Sequence, residues 1–240
     1  MKKSLVGLVL LLSLVLSGFT TTNVTASEVT YYEEKTFEES YQDAVNGVSD
    51  IPLEHINISN EMKAFTQDEG VAEDLKITEY KTAQILEESD SEQFIAVTVF
   101  NDVNILEDTD GPPEIMPFGD KGSDKWDSSG GVKSYSRIYY KTKVEGGVTY
   151  ATLTKVTGGW TNSDSSIKLS NRKVVYGVSG WPGVSKKLTV NPSTNSYNAS
   201  FSWPYVATST TYHLGTNSTV TLKRGSSTWT LYHLNNASSL

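Results

Sequence analysis

Strict alternation of apolar and polar residues is clearest over 196–203. Tyr197, Ala199, Phe201 and Trp203 alternate with Ser196, Asn198, Ser200 and Ser202. A two-residue period places the aromatic set on one face of a strand and the small polar set on the other. A second signal surrounds Gly225-Ser226. If Arg224 pairs with Ser227, Leu222 meets Trp229 and Val220 meets Leu231 on one face of a hairpin. A third is Glu145-Gly146-Gly147, a short Gly-rich turn between two strand-like runs. The chain after residue 120 therefore reads as strands over 134–144, 148–156, 173–178, 187–190, 196–203, 219–224 and 228–234. Turn residues recur at the spacing of an antiparallel β-sandwich or barrel.

The earlier part of the chain has a mixed pattern. Phe37, Tyr41, Ala44, Val45 and Val48 recur at helical spacing, and Gly47 is placed to end a helix over 33–47. Ser59-Asn60-Glu61 can cap a short helix through Phe65. Two strands, 75–86 and 93–100, flank the polar turn Glu87-Glu88-Ser89-Asp90, with Ile95, Val97 and Val99 on one face. The fold class expected is mainly β: a C-terminal antiparallel β-sandwich preceded by a small acidic α+β segment.

The first 26 residues read as an address. Lys2 and Lys3 precede an apolar run, and Val24-Thr25-Ala26 supplies small residues at −3 and −1. That is the anatomy of a secretory signal peptide cleaved near Ala26. The run is about 12–15 residues, short of the ~20 a membrane-spanning helix needs. A secreted (extracellular) product beginning near Ser27 is expected.

Composition matters most when mapped along the chain. The net charge is −8, but residues 27–120 hold 24 acidic and four basic residues, whereas 121–240 hold four acidic and 14 basic ones. Residues 107–131 contain Pro112, Pro113, Pro117 and five Gly, a linker-like composition. The expected organisation is a signal peptide (1–26), an acidic α+β pro-region or spacer (27–106), a Pro/Gly-rich linker (107–131) and a basic, aromatic, Ser/Thr-rich sandwich (132–240). Opposite charges favour intramolecular contact between the acidic and basic parts. The chain has no Cys, which excludes disulfide scaffolds, thiol nucleophiles and cysteine metal sites.

Candidate chemistry is sparse. After residue 120 the only carboxylates are Asp124, Asp127, Glu145 and Asp164, none on an apolar strand face where a raised pKa suits acid catalysis. Gly177-Val178-Ser179-Gly180 falls short of a Gly-x-Ser-x-Gly elbow, although His213 or His233 could act as a base. On the hairpin register above, His233 follows Trp229 and Leu231 inward, as a core-edge histidine bonded to backbone. Asp108, Asp110 and Glu114, then Asp120, Asp124 and Asp127, are spaced loosely for Ca²⁺ but match no cation loop. No catalytic residue, metal or cofactor is expected.

The strongest surface signal is in 134–144. Tyr135, Arg137, Tyr139, Lys141 and Lys143 share one face by period 2, and Ile138, Tyr140 and Val144 share the other. Cations beside aromatic rings suit anionic polymers or lipid headgroups. Trp160, after two glycines, and Trp181, before Pro182-Gly183, sit in turn-like contexts where rings can stack on sugars. The stretch from Ser134 onward, with Lys155–Trp160 and Leu222–Trp229, resembles a kind of small secreted Gram-positive protein; the resemblance carries over no site residue.

Together these features suggest a non-enzymatic exported protein whose basic sandwich binds an anionic cell-wall polymer or membrane surface. A bacteriocin- or toxin-like effector masked by its acidic pro-region is one form of it. The alternative is a carbohydrate-binding or adhesion module using loop Trp residues, with a glycan as partner. A secreted hydrolase is the third class. No nucleic-acid partner is expected from so acidic a chain.

Overall fold

The computed structural model describes residues 28–53, 58–66, 75–105 and 131–238. The signal peptide, the Pro/Gly-rich segment and the acidic run around Asp108–Asp127 lie outside the described residues. In chain order the elements are β1 (Thr30–Tyr31), α1 (Phe37–Val45), β2 (Ile58–Thr66), β3 (Leu75–Glu88), β4 (Glu92–Ile105), β5 (Val132–Glu145), β6 (Val148–Asn162), β7 (Ile167–Gly180), β8 (Val184–Val190), β9 (Ser196–Ser200), β10 (Val206–Ala207), β11 (His213–Arg224) and β12 (Ser227–Ser238).

Two antiparallel sheets face each other. Sheet A runs β1-β3-β4-β5-β6-β10, with β9 also on β6; sheet B runs β2-β12-β11-β7-β8. The mainly β, sandwich-type class follows from this layering. The core between the sheets draws on both. Val97, Ile138, Leu153, Val156 and Trp160 come from sheet A, and Val174, Tyr176, Leu214, Leu222 and Leu231 from sheet B.

The turns behave as their residues require. Gly146 and Gly147, both at positive φ, form the two-residue loop between Glu145 and Val148. In the β11–β12 hairpin Arg224 pairs with Ser227, Leu222 with Trp229 and Val220 with Leu231, the register the hydrophobic pattern demanded. Strands extend beyond the alternating stretches: β11 begins at His213, β7 at Ile167 and β6 continues to Asn162. Their added residues are mostly Ser, Thr, Asn and Gly, which pattern weakly but pair through backbone alone.

Residues 58–66 are a strand, not the short helix expected from Ser59-Asn60-Glu61. They pair along the open edge of β12, from Ile58↔Ala237 to Thr66↔Trp229. The ladder satisfies the backbone groups that a two-turn helix would leave unpaired at its ends. Strand β9 stops at Ser200, although Phe201 and Trp203 still pack on the core and their rings stack at 4.1 Å.

The two charge halves share both sheets. Strand β4 pairs with β5 from Glu92↔Lys143 to Val103↔Val132, and β2 edges sheet B. Helix α1 lies on the outer face of sheet A. Thr36 caps it, accepting from the Glu39 amide while the Glu39 carboxylate accepts from the Thr36 amide. Gly47 (φ +69°) ends it as expected. Of the predicted stripe, Phe37 meets Tyr135 (4.8 Å) and Tyr41 meets Phe100 (5.3 Å), but Val45 and Val48 remain exposed. Among the described residues no helix is long and apolar enough to cross a membrane.

Candidate functional site

The basic aromatic face of β5 exists, but solvent does not reach its centre. Arg137 is only 3 % exposed. Its guanidinium donates to Thr98 Oγ1 (2.7 Å), Glu34 Oε1 (2.9 Å), the carbonyls of Lys35 (2.8 Å) and Thr36 (3.2 Å) and Ser40 Oγ (2.7 Å). The Phe37 ring lies under it at 4.4 Å. The planar fork thereby ties the start of α1 to sheet A. Tyr139, also buried, donates its hydroxyl to Glu34. Burial, then this carboxylate, holds the phenol above its ordinary range.

This corrects the expectation of a free binding face. Period 2 identified which side chains share a face but not what covers it, and the cover comes from residues a hundred positions away. The rest of the stripe is partly committed. Lys141 lies 3.4 Å from Glu87, Tyr135 packs on Phe37, and Lys143 bonds Glu145 at 2.8 Å. On the opposite face Ile138 and Tyr140 are core as expected, but Val144, at the hairpin tip, is 53 % exposed.

Trp160 is 1 % exposed and tilts against Tyr197 at 5.4 Å. It lies within β6, not in a loop. Gly158 and Gly159 precede it because β9 crosses too closely for side chains. A Cβ at 158 would sit 2.4 Å from the Tyr197 hydroxyl, and one at 159 would sit 2.3 Å from the Asn195 carbonyl. Trp181 differs: it is 57 % exposed at the β7–β8 tip, and its carbonyl accepts from the Ala207 amide.

Between the sheets runs a polar seam that alternation alone did not reveal. Ser134 Oγ and His233 Nδ1 are 2.8 Å apart, and the Asn235 amide donates to the Ser136 carbonyl at 3.0 Å. His233 is buried and inward, as the register required, but its partner is a serine side chain rather than backbone. Burial drives its pKa down to about 3. Unfolded histidine titrates near 6.5, so the unfolded chain takes up this proton first. The contribution is complete above pH 6.5 and is lost as pH falls toward 3. As pH falls below 6.5, the unfolding free energy from urea denaturation should decline with a slope that approaches about 1.4 kcal/mol per pH unit. His233→Gln should flatten that slope. An unchanged slope in the variant refutes the assignment.

Ser179 and His213, two of the weak catalytic candidates, are direct cross-strand partners between β7 and β11. The His213 Nδ1 accepts from the Asn236 amide at 3.3 Å, so Nε2 carries the ring proton. A triad would require a carboxylate where the amide stands. Among the described residues no three His, Asp or Glu come together as metal ligands.

The outward face of sheet B carries exposed charge. Leu214, Thr216, Ser218, Val220 and Leu222 of β11 are buried inward. The alternate residues His213, Gly215, Asn217, Thr219, Thr221 and Lys223 therefore point away from sheet A. Lys223 is the direct partner of Lys168 and Thr219 of Lys173, and two outward rows further along Gly177 pairs with Lys187. All four lysines are exposed and have no carboxylate partner among the described residues. Strands β7, β8, β11 and β12 contain no Asp or Glu, and edge strand β2 brings one Glu and one Lys. No local pattern in the sequence joins these lysines, because they are dispersed over three strands, β7, β8 and β11.

The described residues thus form a two-sheet antiparallel β-sandwich with a helix over one outer face and, among these residues, no element over the other, basic one. No known protein family matches the chain, and no curated protein or solved structure matches it either.

Proposed function

We propose that the protein is an exported, non-enzymatic binding protein that holds an anionic cell-envelope polymer against the outward face of sheet B. The observation that carries this reading is the uncompensated Lys168↔Lys223 pair, flanked by Lys173 and Lys187 on the same face. Like charges directly opposite each other destabilise a sheet. A polyanion across the rows relieves that repulsion and adds charge-assisted hydrogen bonds. The Thr and Ser of the same rows supply further donors.

The test is sedimentation of the purified chain with Gram-positive cell walls and with poly(glycerol phosphate). Wild type should bind at low salt and weaken steeply as ionic strength rises. The triple variant Lys168→Gln, Lys173→Gln, Lys223→Gln should bind at least tenfold more weakly, with a melting temperature equal to or above that of wild type. Salt-independent binding, or a triple variant that binds normally, overturns the proposal.

The exposure of Trp181 favours a second reading, adhesion to a neutral glycan through the hairpin tip. On that reading Trp181→Ala, not the lysine variant, abolishes binding, and salt has little effect.

A further inference from the structure

Within the basic face lies a feature that charge alone does not account for. Gly215 of β11 and Gly177 of β7 are direct cross-strand partners. Together they floor an open trough of about 260 Å³. One adjoining row brings Val175 and Leu234 with the Asn217 amide between them, and the other brings His213, Ser179 and Ser185. Lys187 and Asn236 stand at opposite ends of the glycine row itself.

The two glycines have different reasons to be there. A Cβ at Gly215 would lie 2.2 Å from the Asn235 carbonyl oxygen, so the backbone of β12 excludes any side chain. Gly177 has no such constraint. Its backbone is not left-handed, and the nearest atom to an added Cβ is the Lys186 carbonyl oxygen at 3.5 Å, an ordinary contact. A glycine inside a strand costs roughly 0.5–1 kcal/mol relative to alanine. Close approach by a ligand is a further reason for a strand to keep a glycine, and it is compatible with the open space above Gly177.

The chemistry of the lining defines the ligand. Two paired glycines present a flat, side-chain-free floor, and Val175 and Leu234 add apolar contact beside it. This suits the flat face of a sugar ring. The rim offers hydrogen bonds to ring hydroxyls from Asn236, Ser179, Ser185 and the Nε2–H of His213. The lining contains Lys186 and Lys187 but no Asp or Glu, so the favoured sugar carries a negative charge. The volume is below the ~300–1,000 Å³ of drug-sized pockets, which matches a single ring rather than an oligomer buried end to end.

We infer that the Gly177–Gly215 trough is a subsite for one anionic pyranose unit, a ring bearing a carboxylate or a phosphate, with Lys187 facing the charge. This rests on the proposed anionic-polymer binding and deepens it from a charged face to a site with a defined occupant.

The experiment is amide NMR on the full chain, titrated separately with glucuronate, glucose 6-phosphate and glucose. The amides of Gly177, Gly215 and Asn236 should shift with one or both anionic sugars and at least tenfold more weakly with glucose. The two anionic probes distinguish carboxylate from phosphate as the recognised group. Gly177→Val, which fills the trough with a strand-favouring side chain, should weaken sugar binding at least tenfold while leaving the melting temperature equal or higher. Gly177→Ala is the milder companion if the valine variant folds poorly, and Lys187→Gln should remove the preference for the charged sugars. If the amides of the trough do not move with any probe, or Gly177→Val binds like wild type, the subsite is refuted. If polymer binding meanwhile survives Gly177→Val and is lost in the lysine triple variant, the basic-face reading stands without the subsite. If neither polymer nor sugar binds, both fail.

Discussion

A chain cut between residues 106 and 130 should remain one particle in native buffer, and residues 131–240 produced alone should show no cooperative unfolding. The acidic half contributes paired strands to both sheets. Twelve residue pairs join β4 to β5, and nine join β2 to β12. Val97, Val99, Phe100 and Val103 of β4 are at most 1 % exposed. Burying each large apolar side chain is worth about 1.5–3 kcal/mol, so their removal exceeds the ~5–15 kcal/mol by which a domain is stable once β3 and α1 are lost with them. Size-exclusion chromatography of the cut chain, and thermal melts of the basic half, check this. Separation of the halves without denaturant, or a two-state melt of the basic half alone, would falsify the account. A releasable mask must be able to leave, and this one carries a central strand of sheet A.

The second large effect is expected at Asp102. Its carboxylate lies 3.2 Å from the Lys133 ammonium, and both side chains are only 2 % exposed. Tyr41 donates to the other carboxylate oxygen at 2.7 Å, and the ammonium stands over the Tyr41 ring at 3.4 Å. The lysine contact lies outside hydrogen-bond alignment, so its attraction is Coulombic. Replacing one member of a buried pair leaves an uncompensated charge and costs about 3–5 kcal/mol. Asp102→Ala should lower the unfolding free energy measured by denaturant titration by that amount. Asp102→Leu combined with Lys133→Met should recover most of it, because two apolar groups of similar size need no solvation. A single variant within 1 kcal/mol of wild type would show that water reaches the pair.

The same pair illustrates why part of the molecule could not be read in advance. Asp102 lies in the acidic half and Lys133 just beyond the Pro/Gly-rich segment, and no spacing rule joins them. Their partnership follows from Asp102↔Lys133 being direct neighbours in the β4–β5 ladder. Arg137 is a similar case. Period 2 groups it with Tyr135, Tyr139, Lys141 and Lys143, but the three side chains and two backbone carbonyls that take up its donors come from 34–40 and 98. The capping pattern at Ser59–Phe65 is local, whereas the open edge of β12 that captures this segment is not. Trp160 was misread because two adjacent glycines suggest a turn, whereas here they make room for the Tyr197 ring.

What the sequence determined by itself was local: the β11–β12 register, the inward face of His233, the Gly146-Gly147 and Gly47 stops, the helical stripe of Phe37, Tyr41 and Ala44, and the mainly β class. Each rests on a short repeat or a backbone preference that neighbouring residues suffice to impose. The tertiary structure decided which charged face stays in contact with water. The strip on β5, conspicuous along the chain, is closed by α1 and Glu34. The dispersed lysines of β7, β8 and β11 become one surface, with a glycine-floored trough among them. Sheet pairing brings together residues dozens of positions apart, and solvent exposure belongs to the packed layers rather than to any segment.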